Sequence, residues 1–124
     1  MAIEWSANVI EVLRDARRLS ERLGHFEIVT LTEVYGVLLS RLRGDDIDKT
    51  PATLTKIAPS WPTDAVYLSP GGKTPSLNRA LEHAVIRARN DPRAVTVQDL
   101  WDALPDGDAE TVQHLDETFG VHRR

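Results

Sequence analysis

The chain carries the same order of helix signals twice, and this repetition constrains its fold more than any single segment does. Each copy has an amphipathic helix pattern, a short turn, and then a threonine followed three residues later by an acid. The aligned pairs in the first helix are Leu13 with Leu81, Ala16 with Ala84 and Ser20 with Ala88. Such repetition predicts one domain built from two copies of a helical unit.

The first copy is predicted to open with a helix over residues 6 to 23. Ser6 is a common capping residue, and the apolar and small residues after it have the three-and-four spacing of one buried face. They are Val9, Val12, Leu13, Ala16, Leu19, Ser20 and Leu23. A second helix is predicted to begin at Thr30, which has capping-box spacing to Glu33, and to end at Gly44.

The second copy follows the same plan, with a helix predicted over residues 74 to 90. The next helix starts at Thr96, which has capping-box spacing to Asp99. Removing two residues from the intervening loop aligns this helix with its counterpart, and Tyr35 then falls on Trp101. A last helix is predicted in "DAETVQHLDETFG", up to its final glycine. The fold is therefore predicted to be all-α, with two pseudo-symmetric helical repeats in one compact domain.

One module is predicted to occupy the whole chain, residues 1–124, because this length suits a single hydrophobic core. Repeat 1 covers about 5–58 and includes a short helix near Pro51, a linker covers about 59–75, and repeat 2 covers about 76–122.

The stretch "SPGGKTPS" ends like a phosphate-binding P-loop, but its context argues against nucleotide binding. A P-loop needs a glycine five positions before the Gly-Lys pair, and Tyr67 stands there. Pro70 and Pro75 also remove amide donors that a phosphate would require. Residues 71 to 75 are predicted instead to be an exposed join between the two copies.

Composition excludes several classes of function. The absence of cysteine rules out disulfides and thiolate metal sites, and the four histidines lack the spacing of metal ligands. The net charge of −4 argues against a nucleic-acid partner. No apolar run is long enough to span a membrane, and the N-terminus is charged too early for a signal peptide. We expect a cytoplasmic protein with no membrane partner, no catalytic site and no cofactor.

The doubled pattern resembles a known one, the repeat of the Clp N-terminal domain found at the front of Clp-type AAA+ unfoldases. The first copy, "ANVIEVLRDARRLSERLGHFEIVTLTEVYGVLLSRL", matches its small-residue pair, its Gly-His turn and its second helix. These fall on Ala16 and Ser20, on Gly24 and His25, and on Thr32, Glu33 and Val34 to Leu39. "SLNRALEHAVIRARNDPRAVTVQDLWDAL" looks like the second repeat, but Val34 and Leu100 replace a family histidine and no complete P-loop follows.

The resemblance implies a protein-binding module without its motor. Domains of this family dock adaptor proteins and substrate segments for a hexameric ATPase ring, and some recognise phosphorylated arginine through an acid at the start of the second helix. The matching acids are Glu33 and Asp99, although a capping box needs an acid at the same place. The candidate partner-binding residues are Glu33, Asp99, Thr30, Thr96, Tyr35 and Trp101.

A helix-turn-helix DNA regulator is the alternative function, because short helix pairs joined by a turn also fit that motif. A recognition helix should present a basic, polar face to DNA. The two candidates here, "TEVYGVLLSRLRG" and "VQDLWDALPDG", are apolar or acidic. The sequence therefore favours protein binding over DNA binding, and the resemblance to the Clp N-terminal domain implies a chaperone or proteolysis context.

Overall fold

A computed structural model describes residues 5–23, 29–44, 53–54, 72–88 and 94–123. Within these ranges the chain forms five named helices, a helical fragment at residues 53–54 and only isolated β-bridges, which confirms the predicted all-α class. The helices are α1 (Ala7–Arg22), α2 (Leu31–Arg43), α3 (Pro75–Ala88), α4 (Val97–Gly107) and α5 (Ala109–Phe119).

Side chains cap the helix starts where the sequence predicts it. The Ser6 hydroxyl accepts a hydrogen bond from the Val9 amide at 3.3 Å, and capping boxes open α2 and α4. Asp108, for which no cap was predicted, also caps α5 and accepts a hydrogen bond from the Thr111 amide at 3.1 Å. The predicted ends of α2 and α5 at Gly44 and Gly120 are also confirmed, since both glycines have the left-handed backbone of a helix C-cap.

Other predicted elements fall largely outside the described residues. The Gly24–His25 turn is among them, and so are most of the short helix near Pro51 and most of the linker over 59–75. Residues 53–54 are helical, and Leu54 is fully buried in the core.

The prediction that residues 71 to 75 form an exposed join is wrong for the C-terminal part of this segment. Thr74 is fully buried, and Lys73 forms a parallel bridge with Val29. The Val29 amide donates to the Gly72 carbonyl at 2.8 Å, and the Thr74 amide donates back to the Val29 carbonyl at 3.1 Å. This pairing satisfies backbone groups that an exposed connection would leave to water.

A second parallel bridge joins Trp5 to Val95, and the Ser6 amide donates to the Val95 carbonyl at 2.9 Å. The two bridges therefore tie the start of α1 to the start of α4, and the start of α2 to the start of α3. They fix the positions of four helix N-termini within the domain.

The core surrounds α2, in which every residue from Leu31 to Ser40 is buried. The other four helices all contact α2, and α3 and α4 form the most extensive helix pair. A helix that is buried all round must be almost wholly apolar or internally satisfied. Glu33 is therefore the residue of α2 that most needs an explanation.

Candidate functional site

Glu33 lies in the first turn of α2 with none of its surface exposed. Its Oε2 atom accepts hydrogen bonds from the Thr30 hydroxyl and from the Thr30 amide, the latter at 3.1 Å. Both partners come from the N-cap residue, so the predicted capping box is confirmed. A ligand would reach this carboxyl only if the surrounding core moved.

Burial raises the pKa of Glu33 from 4.5 to about 7, because a charged carboxylate loses its hydration inside the protein. Hydrogen bonding from Thr30 and Ser20 opposes this rise by favouring the ionised form, but burial outweighs it. The second oxygen, Oε1, is buried without a partner of good hydrogen-bond geometry among the described residues. The carboxyl is therefore partly protonated at neutral pH.

Asp99 holds the corresponding place at the start of α4. Its Oδ2 atom accepts from the Thr96 amide at 2.9 Å and from the Thr96 hydroxyl at 3.0 Å. The Asp99 amide donates back to the Thr96 hydroxyl at 3.2 Å, which completes the predicted capping box. Asp99 is 6% exposed, so most of this carboxylate also lies inside the fold.

The structure brings Tyr35 and Trp101 into contact. Their ring centroids are 5.2 Å apart, and the ring of Phe119 lies 6.2 Å from that of Tyr35. Tyr35 is fully buried and its hydroxyl donates to Asp116 Oδ1 at 2.6 Å, whereas Trp101 is half-buried and is covered by Arg123. Burial and the nearby Asp116 carboxylate both raise the pKa of Tyr35, so the phenol stays a donor at every physiological pH.

Replacing Tyr35 with phenylalanine is expected to destabilise the fold by about 2 kcal/mol, because Asp116 Oδ1 loses its donor in a partly buried site. Urea denaturation followed by circular dichroism measures this loss. Asp102→Asn is the control, since that carboxylate is exposed and its partner, the Gln98 amide, is exposed as well. Equal stabilities for the two variants would contradict the assigned role.

An apolar groove lies between α1 and α3, and none of the six predicted residues lines it. Its volume is about 500 Å³, and its lining residues are Trp5, Ile10, Leu13, Lys73, Asn78, Leu81, Glu82 and Val85. Leu81 and Val85 are nearly buried, whereas Ile10 is 49% exposed. The groove therefore has an apolar floor and an apolar residue that water still reaches.

Sequence reasoning missed this groove because it assigned Leu13 and Leu81 to the core face alone. The signal that could have found it is Ile10, an apolar residue outside the predicted buried face of α1. Exposed apolar residues beside a concave surface are typical of interaction sites.

Among the described residues, no three histidine or acidic side chains come together as a potential metal site. None of the helices in the described ranges has the length and apolar character needed to cross a membrane.

Comparison of the chain with protein-family models, with curated proteins and with solved structures finds no match in any of the three.

Proposed function

We propose that this protein is a non-enzymatic protein-binding module of the Clp N-terminal type, which docks substrates or adaptors for a Clp-type ATPase in protein quality control. The observation that carries the proposal is the apolar groove between α1 and α3. The residues that line the groove offer a largely apolar contact surface, and they do not form a catalytic set of nucleophile, acid and base.

The two β-bridges support a two-repeat architecture. The alignment of Ala16 with Ala84 places Ser6 on Thr74, and the alignment of Thr30 with Thr96 places Val29 on Val95. The hydrogen bond from the Ser6 amide to the Val95 carbonyl then corresponds to the one from the Thr74 amide to the Val29 carbonyl. Exchanging the copies turns one bridge into the other, as a pseudo-twofold axis requires.

The groove suits an extended segment of an unfolded or adaptor protein. Burying the exposed half of Ile10 against an apolar side chain contributes about 1 kcal/mol. Glu82 lies in the same lining and can bind polar groups of a peptide backbone. Rapid release of the occupant would suit a module that passes substrates to a motor.

The proposal assigns docking to the groove rather than to Glu33 and Asp99. Both acids use an oxygen to cap their own helix, and Glu33 is completely enclosed. A phosphoarginine-bearing partner would need exposed amides and an accessible carboxylate at these helix starts.

Fluorescently labelled, reduced and carboxymethylated α-lactalbumin, which is permanently unfolded, tests the groove by fluorescence anisotropy. The wild-type protein is expected to bind it, and Ile10→Asp is expected to weaken binding about tenfold, because a charge must then be desolvated in an apolar site.

Ile86→Asp is the matched control, since Ile86 is 51% exposed on α3 but does not line the groove. This variant should bind as the wild type does. Equal losses in both variants, or binding of a labelled DNA duplex but not of the unfolded protein, would overturn the proposal.

A further inference from the structure

The corner between α4 and α5 holds the guanidinium group of Arg123 in a site with three distinct contacts. Its Nε atom donates to Asp116 Oδ2 at 2.7 Å, and one terminal nitrogen donates to the Trp101 carbonyl at 2.8 Å. The guanidinium carbon lies 4.1 Å from the centroid of the Trp101 ring. We propose that this corner is a recognition site for an arginine side chain of a partner protein, and that Arg123 occupies it within the chain.

The carbonyl of Trp101 is available because of Pro105. In a regular helix this carbonyl would accept from the amide four residues later, but proline has no N–H to donate. Arg123 supplies the missing donor. The acceptor is therefore created by the sequence of α4 and exists whether or not Arg123 is present.

The carboxylate and the ring are also held by groups other than Arg123. The Tyr35 hydroxyl binds Asp116 Oδ1 at 2.6 Å, which leaves Oδ2 directed to the guanidinium. The Tyr35 ring supports the Trp101 ring at a centroid distance of 5.2 Å. A carbonyl, a carboxylate and an aromatic face are thus preorganised for one planar cation.

Arg123 does not form all the hydrogen bonds that its guanidinium group could donate in this site. The second terminal nitrogen of Arg123 is buried and has no hydrogen-bond partner among the residues that the structure describes. Arg123 also belongs to residues 121–123, which lie beyond the end of α5 and outside any helix. Water hydrates this nitrogen once Arg123 leaves the site, which lowers the free-energy cost of displacing Arg123.

A cleft of about 460 Å³ adjoins the site and gives a partner segment room to approach. Its lining includes Asp116, Glu117 and Gln113 together with Val121 and Arg123. Once Arg123 leaves, the acidic groups dominate the lining, so the cleft attracts a cation and repels a phosphorylated arginine.

Arginine is favoured over lysine because its planar fork donates to two acceptors while its face stacks on the ring. None of these residues lines the apolar groove, so the proposal goes beyond the proposed function and does not depend on it.

N-acetyl-L-argininamide is the probe, and the indole N–H signal of Trp101 in ¹H–¹⁵N NMR spectra, assigned with Trp101→Phe, is the readout. Arg123→Ala is expected to bind the probe with millimolar affinity, as suits a small ligand in an open site. N-acetyl-L-lysinamide should bind about tenfold more weakly. Adding Asp116→Asn to Arg123→Ala should abolish binding, because the carboxylate contact is lost.

Displacement of Arg123 in the wild-type protein is tested with two peptides. They are identical except that one has an arginine where the other has a lysine. The arginine peptide is expected to displace Arg123, which shifts the Nε–H signal of that residue because its hydrogen bond to Asp116 is lost. A folded Arg123→Ala variant that ignores the probe, or a wild type whose Nε–H signal is unchanged at saturating peptide, would overturn the proposal.

If Arg123→Ala is unfolded at the working temperature, its melting temperature replaces the NMR readout. The arginine probe is then expected to raise the Tm and the lysine probe to leave it unchanged. Equal effects of both probes would count against an arginine-specific site.

Discussion

Replacing Gly107 with alanine is expected to destabilise the fold by about 3 kcal/mol, because a methyl group has no room between α4 and α3. A Cβ atom at this position would lie 2.4 Å from the Ser76 carbonyl oxygen, 2.9 Å from a Leu31 methyl carbon and 3.1 Å from the Ala80 Cβ. The first of these atoms belongs to backbone, which cannot rotate away as a side chain can. The helices must separate, and the two hydrogen bonds from Arg79 to the Gly107 carbonyl are then strained.

The midpoint of urea unfolding, followed by circular dichroism, measures this effect. Gly120→Ala is the control, because Gly120 has a left-handed backbone but no described atom lies within 4 Å of the point where its methyl group would be added. That variant should lose only the backbone strain, about 1 kcal/mol. Similar losses at both glycines would contradict the close packing of α4 on α3.

The second large effect expected is a fall in stability as the pH rises from about 4.5 to above 7. The pKa of Glu33 is 4.5 when exposed and about 7 in the fold, so the folded state keeps a proton that the unfolded chain has released. The free energy of unfolding therefore includes a contribution that is fully present below pH 4.5 and is lost as the pH passes 7. The difference in pKa corresponds to about 3 kcal/mol.

Glu33→Gln is expected to remove this dependence. The glutamine amide keeps the capping acceptor for Thr30 and carries no charge to desolvate. The variant should equal the wild type near pH 4.5 and exceed it in stability at about pH 8. Urea unfolding at several pH values across this range measures the slope.

Glu82→Gln makes the same chemical change on an exposed side chain of α3 and should retain the wild-type slope. A Glu33→Gln variant that unfolds with the same pH dependence as the wild type would show that another group titrates.

Much of the fold could be predicted because its signals are local. A hydroxyl and an acid three residues apart mark a helix start, so Thr30, Thr96 and their acids identify the starts of α2 and α4. Gly44 and Gly120 mark helix ends for an equally local reason, the left-handed backbone that they adopt.

The candidate sites were harder to predict, because they depend on contacts between distant segments. The capping acids were recognised, but the complete enclosure of Glu33 follows from the packing of four helices around α2. The groove requires α1 beside α3, and the Arg123 site joins residues 22 positions apart in the chain. A spacing pattern within one helix carries no information about such neighbours.

The two parallel bridges have a consequence for how the chain folds. Each bridge joins a segment before residue 30 to a segment after residue 71. The backbone hydrogen bonds of these bridges can therefore form only after distant parts of the chain have come together. Neither half can complete its helix starts in isolation, and a partly folded half would leave amides and carbonyls unpaired. The domain should therefore fold in one cooperative step, with the entropy of closing these long loops setting its rate.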